Sequence, residues 1–466
     1  MSTELLRLSA IEAAAAIRAR KVSPVNLVDA VLAAIARTQP TLNAFVSIDE
    51  AGARAAARAA EEALARGADV GPLHGVPFSV KDLTATAQLR TTMGSRLFAD
   101  SVPTEDAVPV ARLRAAGAIL IGKTTTPEFG HKPFTDSPLS GTTRNPWNLA
   151  HTPGGSSGGA AAAVAAGLGP LALGTDGGGS IRIPAACCGI VGLKPTLGRV
   201  PHIHAPDAFA NTSYIGPMTR TVADARLMLT LIEGPDARDP FATALPFPPP
   251  PRSLRLGWAA RVGNPLLDAE VEALAEAAAR ALGAELRPVS LDFAAEEEAF
   301  LVILQAGLAG RLGARLAAER EQMDPALVET ITRGLSRSTA ELHAAQQQRT
   351  RLFRRLVRLF EEIDVLATPT IAAPAPPTGL DPFAPFALAG SSGKAGHIRA
   401  TWYPYTYPFN LTGHPALAVP AGRTKAGLPV SLQLAGGWHQ ERLLLDLAER
   451  LEQARPWADD WPPHAA

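Results

Sequence analysis

The feature that most constrains this chain is a succession of short, largely apolar runs alternating with alanine-rich stretches of helical spacing. PFSVKD from Pro77, AILIGKT from Ala118 and LALGTD from Leu171 are each brief and bounded by glycine, proline or aspartate. Such runs fit buried strands better than helices, which need greater length. LRLGWAA from Leu254, DVLATPT from Asp364 and PVSLQLAG from Pro429 continue the pattern. Strands alternating with helices argue for an α/β fold around a largely buried sheet.

The helical stretches carry their own punctuation. Ser9 with Glu12 forms a capping box, and Ser23 before Pro24 gives an N-cap with proline at the first helical position. A third helix over about 50–66 ends at Gly67, which suits a C-cap. Further helices are expected near 107–116 and 441–452. The section 267–362 reads as mostly helical, with a strand-like interruption near 286–291. Residues 240–252 are proline-rich and read as a connection, and 371–394 as a mobile loop. No internal repeat and no strong domain boundary appears, although 466 residues would by length alone suggest several domains.

Composition excludes some classes of function. Lysine plus arginine balance aspartate plus glutamate at 44 each, which leaves no net field to attract nucleic acid or an anionic membrane. The two cysteines, Cys187 and Cys188, are neighbours. They make no disulfide framework and lack the spacing of a zinc site, and read as small buried hydrophobes. The N-terminus is interrupted by Glu4, Arg7 and Glu12, unlike a signal peptide, and the uncharged alanine- and glycine-rich run 158–174 is too weakly apolar to span a bilayer. A soluble cytoplasmic protein is expected, with oligomeric state, including a homo-oligomer, left open. Only seven of the basic residues are lysine, so a lysine that persists invites a role needing loss of its proton.

Several motifs fail on physical grounds. GAILIGKT at 117–124 matches a phosphate-loop pattern, but its aliphatic middle wants to be a strand and an early proline follows it. GGSSGG at 154–159 contains G-x-S-x-G without the preceding strand that a nucleophile elbow requires. SSGK at 391–394 matches S-x-x-K but lies in the loop-like stretch without its companion motifs. His202, His204 and Asp207 could suggest a metal, yet no third histidine stands at suitable spacing, and solvated or substrate-contacting loop residues are expected.

Three segments carry the chemistry: GPLHGVPFSVKD, TPGGSSGG and GTDGGGSIRIPAACCGIVGLKPT. Lys81 ends an apolar strand, where burial would lower its pKa from about 10.4 towards about 7–8. Asp82 would oppose this only from the same side, and successive strand residues face opposite ways. Ser156 and Ser157 stand between glycine pairs before an alanine helix, either as an N-cap or at a helix N-terminus that favours developing negative charge. Ser180 follows Gly177, Gly178 and Gly179 directly after a strand. Such glycines let backbone N–H groups converge on a ligand, as an oxyanion hole requires, though a plain turn has the same composition.

Together these segments resemble the amidase signature family of serine hydrolases. NPWN, PGGSSGG, GTDGGGSIR and CGIVGLKPT stand in that family's order between residues 145 and 196, with Lys81 75 residues before Ser156 and Ser180 24 after it. DVLATPT, FNLTGHPALAVPAG and GLPVSLQLAG extend the likeness to the C-terminus; it is weakest over about 240–360. The resemblance implies one domain over 1–466. Its parts would be N-terminal helices (1–70), a catalytic core (71–240), a mostly helical cap (267–362) and C-terminal core strands with a closing helix (363–466). The fold would be a large mixed sheet covered by helices on both faces.

The resemblance further implies an amide hydrolase in which Ser180 is the nucleophile, Ser156 the bridging serine on a cis peptide, and Lys81 the base. Ser157, Asp176 and Arg182 would support them, and the N–H groups of Gly177, Gly178, Gly179 and Ser180 would form the oxyanion hole. No metal or cofactor is implied. Gly177 stands where larger residues are common, and His151 where arginine is frequent. Phe129, Phe134, His204 and Tyr214 are candidate substrate contacts for an aryl or apolar amide; carbamates, oligoamides and esters stay open. The rivals are the glutaminase subunit of a tRNA-dependent amidotransferase, which would need a partner subunit, and an inactive binding protein on the same fold.

Overall fold

The structure is a computed structural model that describes residues 2–264, 266–387 and 397–466. Among the described residues the strands are β1 (Phe45–Ile48), β2 (Pro77–Lys81), β3 (Ile119–Thr124), β4 (Asp136–Ser137), β5 (Gly141–Thr142), β6 (Leu171–Asp176), β7 (Val191–Lys194), β8 (Tyr214–Thr219), β9 (Leu256–Trp258), β10 (Leu286–Pro288), β11 (Val365–Pro369), β12 (Ala416–Arg423) and β13 (Pro429–Gly436). β4 and β5 make a small ribbon. The other eleven form one sheet in the order β1-β3-β2-β6-β8-β7-β12-β13-β11-β9-β10. The sheet is mixed: β2 runs parallel to β3 and β6, whereas β8 is antiparallel to β6, and β12 to β13.

Alternation along each strand assigns side chains to two different cores. Leu171 and Leu173 join Phe78, Val80, Leu417 and Val419 on one face, under the helices Ala10–Arg18, Val108–Ala115, Val222–Ile232, Ala269–Arg280 and Glu441–Ala454. Ala172, Ala416 and Ala418 point the other way, against the helices Gly158–Ala165 and Arg182–Cys188. The residues on this second face are small, and so are those of the two helices, so backbone can approach backbone closely. The face that carries the serines is therefore the densely packed, small-residue face.

The section 267–362 divides. Ala269–Arg280 packs on the sheet and β10 pairs with β9, so both belong to the main body and not to a cap. The helices Ala294–Leu312, Pro325–Leu335 and Thr339–Glu362 stand over the second face; the first two are joined through Leu308, Leu312, Leu327 and Ile331, and the first and third through Ala299, Val302 and Ala345. The helical stretch Ala294–Gln322 is long and apolar enough to cross a bilayer by length and composition. Its Phe300, Ile303, Leu304 and Leu308 line a cavity inside the protein. The 371–394 stretch is described only to residue 387, and the SSGK motif lies outside the described residues.

GAILIGKT is the buried strand β3, without a phosphate-binding helix after it. Its Lys123 is buried and donates to Thr86 Oγ1 and Thr91 Oγ1 at 2.9 and 2.8 Å.

Candidate active site

Parallel pairing of β2 with β6 brings the end of one strand beside the end of the other, with Val80 opposite Leu173. Lys81 and Thr175 thus meet below the second face. Lys81 is fully buried, and its Nζ lies 2.7 Å from Ser156 Oγ, 2.9 Å from Thr175 Oγ1 and 3.3 Å from the Thr175 carbonyl. Burial holds the amine well below the ordinary lysine range, although the Asp176 charge opposes the shift. A neutral amine has two N–H groups for Thr175 and one lone pair for the Ser156 hydroxyl. Asp82 faces away and accepts from Thr92.

The Gly155–Ser156 peptide is cis. A Cβ on Gly155 would sit 2.7 Å from the backbone of Pro133 and Phe134, so glycine is required for the segment to pass there. Ser157 occupies the N-cap position of Gly158–Ala165, yet its side chain caps nothing. Its Oγ donates instead to the Thr175 carbonyl at 3.1 Å, and its N–H donates to the Ser180 carbonyl at 3.1 Å.

Ser180 is partly exposed and lines, with Ser156, Gly177 and Gly178, a cavity of about 470 Å³. The loop before it is shaped by Asp176. That carboxylate accepts from the N–H groups of Gly179 and Ile181 at 2.6 and 3.1 Å, and from Arg182 Nε and Nη2, both at 3.0 Å. Burial alone would raise the Asp176 pKa; the Arg182 charge and the hydrogen bonds outweigh it and hold the carboxyl well below its usual range. Arg182, itself fully buried, also donates to the Thr406 carbonyl, Gln433 Oε1 and Asn410 Oδ1. The Asp176–Arg182 pair thereby ties the serine loop to the C-terminal strands. One expectation needs correction: the Gly179 N–H is committed to Asp176 and is not free for an oxyanion. Among the described residues, Gly177, Gly178 and Ser180 retain unengaged N–H groups.

The model of the amidase family matches residues 26–445. An acylamidase of Rhodococcus erythropolis is 40% identical over 98% of this chain and 97% of its own. The chain belongs to the amidase family. A glutamyl-tRNA(Gln) amidotransferase component of a Roseiflexus species is 37% identical over 99% of both chains. Among solved structures, a bacterial aryl acylamidase of the amidase signature enzymes superposes with a TM-score of 0.89 at 31% identity, over 97% of each chain. This amidase is therefore a hydrolase of carbon–nitrogen bonds on the large mixed-sheet fold of those enzymes.

The expected site residues of the amidase fall into two groups. Lys81, Ser156, Ser157, Asp176, Gly177, Gly178, Gly179, Ser180 and Arg182 are drawn together as described. Of the expected substrate contacts, Phe129 and His204 line the cavity. Phe134 and Tyr214 do not: Phe134 is buried and stacks on Trp402, with centroids 5.8 Å apart. The Tyr214 ring lies under Lys194 Nζ at 3.8 Å, and its hydroxyl donates to the Asn410 carbonyl at 2.8 Å. Both are apolar enough to be claimed by the core before a ligand.

His151 donates through Nδ1 to the Ala375 carbonyl at 2.7 Å and so pins the 371–378 segment. A Cβ on Gly177 would meet nothing within 4 Å, which leaves the cavity roomier at that point. Sequence reasoning missed Thr175, Asn410 and Gln433. The last two gave a signal, as amide side chains in the largely apolar FNLTG and PVSLQLAG runs.

Proposed function

We propose that this amidase cleaves an aryl or apolar amide through an acyl-enzyme on Ser180, with Lys81 as the base acting through Ser156. The observation that carries the reading is the 2.7 Å contact between Ser156 Oγ and a fully buried lysine whose pKa burial holds well below the ordinary range. Neutral Nζ accepts the Ser156 proton while Ser156 accepts that of Ser180, and Ser180 Oγ attacks the carbonyl carbon. The oxyanion meets the free N–H groups of Gly177, Gly178 and Ser180. As the carbon–nitrogen bond breaks, Ser156 returns a proton to the departing amine. Water then attacks the acyl ester by the same relay, releasing the acid and restoring the Ser180 hydroxyl.

The cavity wall supports this substrate class, since Phe129, Phe300, Ile303, Leu304, Leu308 and Tyr403 supply apolar and aromatic surface. The acylamidase relatives support the same class. Full-length likeness to an amidotransferase component favours glutamine as the second reading. The test is turnover of acyl 4-nitroanilides and of glutamine by the isolated chain and by Ser180→Ala. Anilide hydrolysis that disappears in Ser180→Ala supports the proposal. Hydrolysis of glutamine alone, or anilide turnover retained without Ser180, overturns it.

A further inference from the structure

Of the charged groups that line the cavity and that the chemistry above does not use, one is buried without a counter-charge among the described residues. Arg399 lies in the short helix Ile398–Thr401, lines the cavity, and is only 3% exposed. Among the described residues no carboxylate lies within ion-pair distance of it. Its sole side-chain hydrogen bond is a 3.3 Å contact from Nη1 to His397 Nε2, and its Nε is buried without a partner. Two neighbouring buried cations are paired: Arg182 with Asp176, and Lys132 with Asp136 and Asp324 at 2.6 and 2.7 Å. A buried guanidinium with open donors is costly, and a structure keeps one where an incoming group supplies the counter-charge.

Arg399 is also tied to the reacting end. Seven residues further along the same segment, Thr406 Oγ1 donates to the Gly178 carbonyl at 2.7 Å. Arg311, exposed at the rim with its guanidinium 4.9 Å from the Phe129 ring centre, adds a second cation. The acidic residue of the lining, Asp207, is exposed and spends its Oδ1 on the N–H groups of Phe209 and Ala210. Among the described residues the lining thus carries a buried cation for an anion, and only an exposed carboxylate for an ammonium.

We infer that Arg399 is a substrate-recognition residue for a carboxylate carried by the amide at a distance from the scissile bond. The preferred substrate is then a monoanionic amide, such as a half-anilide of a dicarboxylic acid, and not a neutral amide or a zwitterionic amino acid amide. This inference deepens the proposed hydrolase reading and rests on it.

The test compares adipic mono-4-nitroanilide with hexanoic 4-nitroanilide, which match in length and differ in the terminal carboxylate. A charge-assisted bidentate contact gives the carboxylate substrate a preference in kcat/KM of about tenfold or more, expressed chiefly in KM. In Arg399→Met the ratio of the two kcat/KM values falls to near one. Arg399→Lys retains part of it, and the surface control Arg280→Met retains all of it. A wild-type ratio near one, or a preference that persists in Arg399→Met, overturns the inference. Binding of the adipic half-anilide to Ser180→Ala, followed calorimetrically with and without Arg399→Met, separates the two readings. Arg399-dependent binding without turnover in the wild type would sink the hydrolase reading and leave the anion site standing. Binding insensitive to Arg399 would remove the anion site whatever the turnover.

Discussion

The backbone N–H of Ser157 donates to the carbonyl of Ser180 at 3.1 Å, so the two serine-bearing loops are joined by a direct hydrogen bond beside the cavity. Ser156 and Ser157 are thereby divided in task. One faces Lys81, while the other fastens the loop of Ser180 and, through Oγ, the strand end at Thr175.

Replacing the two serines separates these tasks. Ser156→Ala lowers kcat by about 10²–10⁴, the usual loss when a positioned proton-transfer group is removed, and changes urea stability little. Ser157→Ala leaves the buried Thr175 backbone groups short of a partner and costs about 1–3 kcal/mol, with the smaller effect on kcat. The reverse ranking in kcat would take the relay away from Ser156.

Lys81 makes a prediction in stability as well as rate. Its folded pKa lies below the unfolded value, so the unfolded chain binds the extra proton in the window between them. Folding is therefore penalised within that window, and the penalty shrinks as pH rises towards about 10.4. Lys81→Met, which cannot titrate, gains on the wild type most at lower pH. Its advantage narrows by about 1.4 kcal/mol per pH unit on approaching that value. Urea unfolding at several pH values measures this, and an advantage that does not vary with pH would show that Lys81 folds charged.

Asp176 is the hub of the serine loop. Asp176→Asn leaves Arg182 buried without its counter-charge and weakens the hold on the Gly179 and Ile181 N–H groups. A loss of about 3–5 kcal/mol is expected, with activity falling in step. Denaturant midpoints and kcat together check it.

The glycines before Ser180 differ from one another. Gly177→Ala adds a methyl to open space and leaves stability within about 0.5 kcal/mol. In Gly178→Ala the new Cβ would lie 2.5 Å from Phe300 Cζ and push the helix Ala294–Leu312 away. Thermal unfolding should distinguish them clearly. Gly177→Ala should in addition raise KM for bulky anilides more than for small ones.

Much of this was legible in the sequence, for physical reasons that also explain what was not. The strands PFSVK, ILIGKT and LALGTD were readable because strands buried on both faces have to be continuously apolar. Lys81 and the serine loops were readable because lysine after such a strand, and serine among glycines, are both costly without a use. The edge strand β1 and the short strand β7 escaped, since neither FVSI nor VGLK is long or patterned enough to declare itself. Phe134 and Tyr214 were misplaced because an aromatic side chain reads alike whether it faces a ligand or a core. The commitment of the Gly179 N–H to Asp176 is a matter of loop geometry that no residue pattern encodes. Arg399 gave no signal among 44 basic residues, for its meaning lies in the absence, among the described residues, of a carboxylate within ion-pair distance.

The central claim is that Ser180 is the nucleophile and that Lys81 activates it. Intact mass and peptide mapping after treatment with a fluorophosphonate, on wild type and Lys81→Ala, test it most directly. One adduct on Ser180, lost or strongly slowed in Lys81→Ala, is the expected result. An adduct on Ser156 or Ser157, or none on a folded protein, would contradict it.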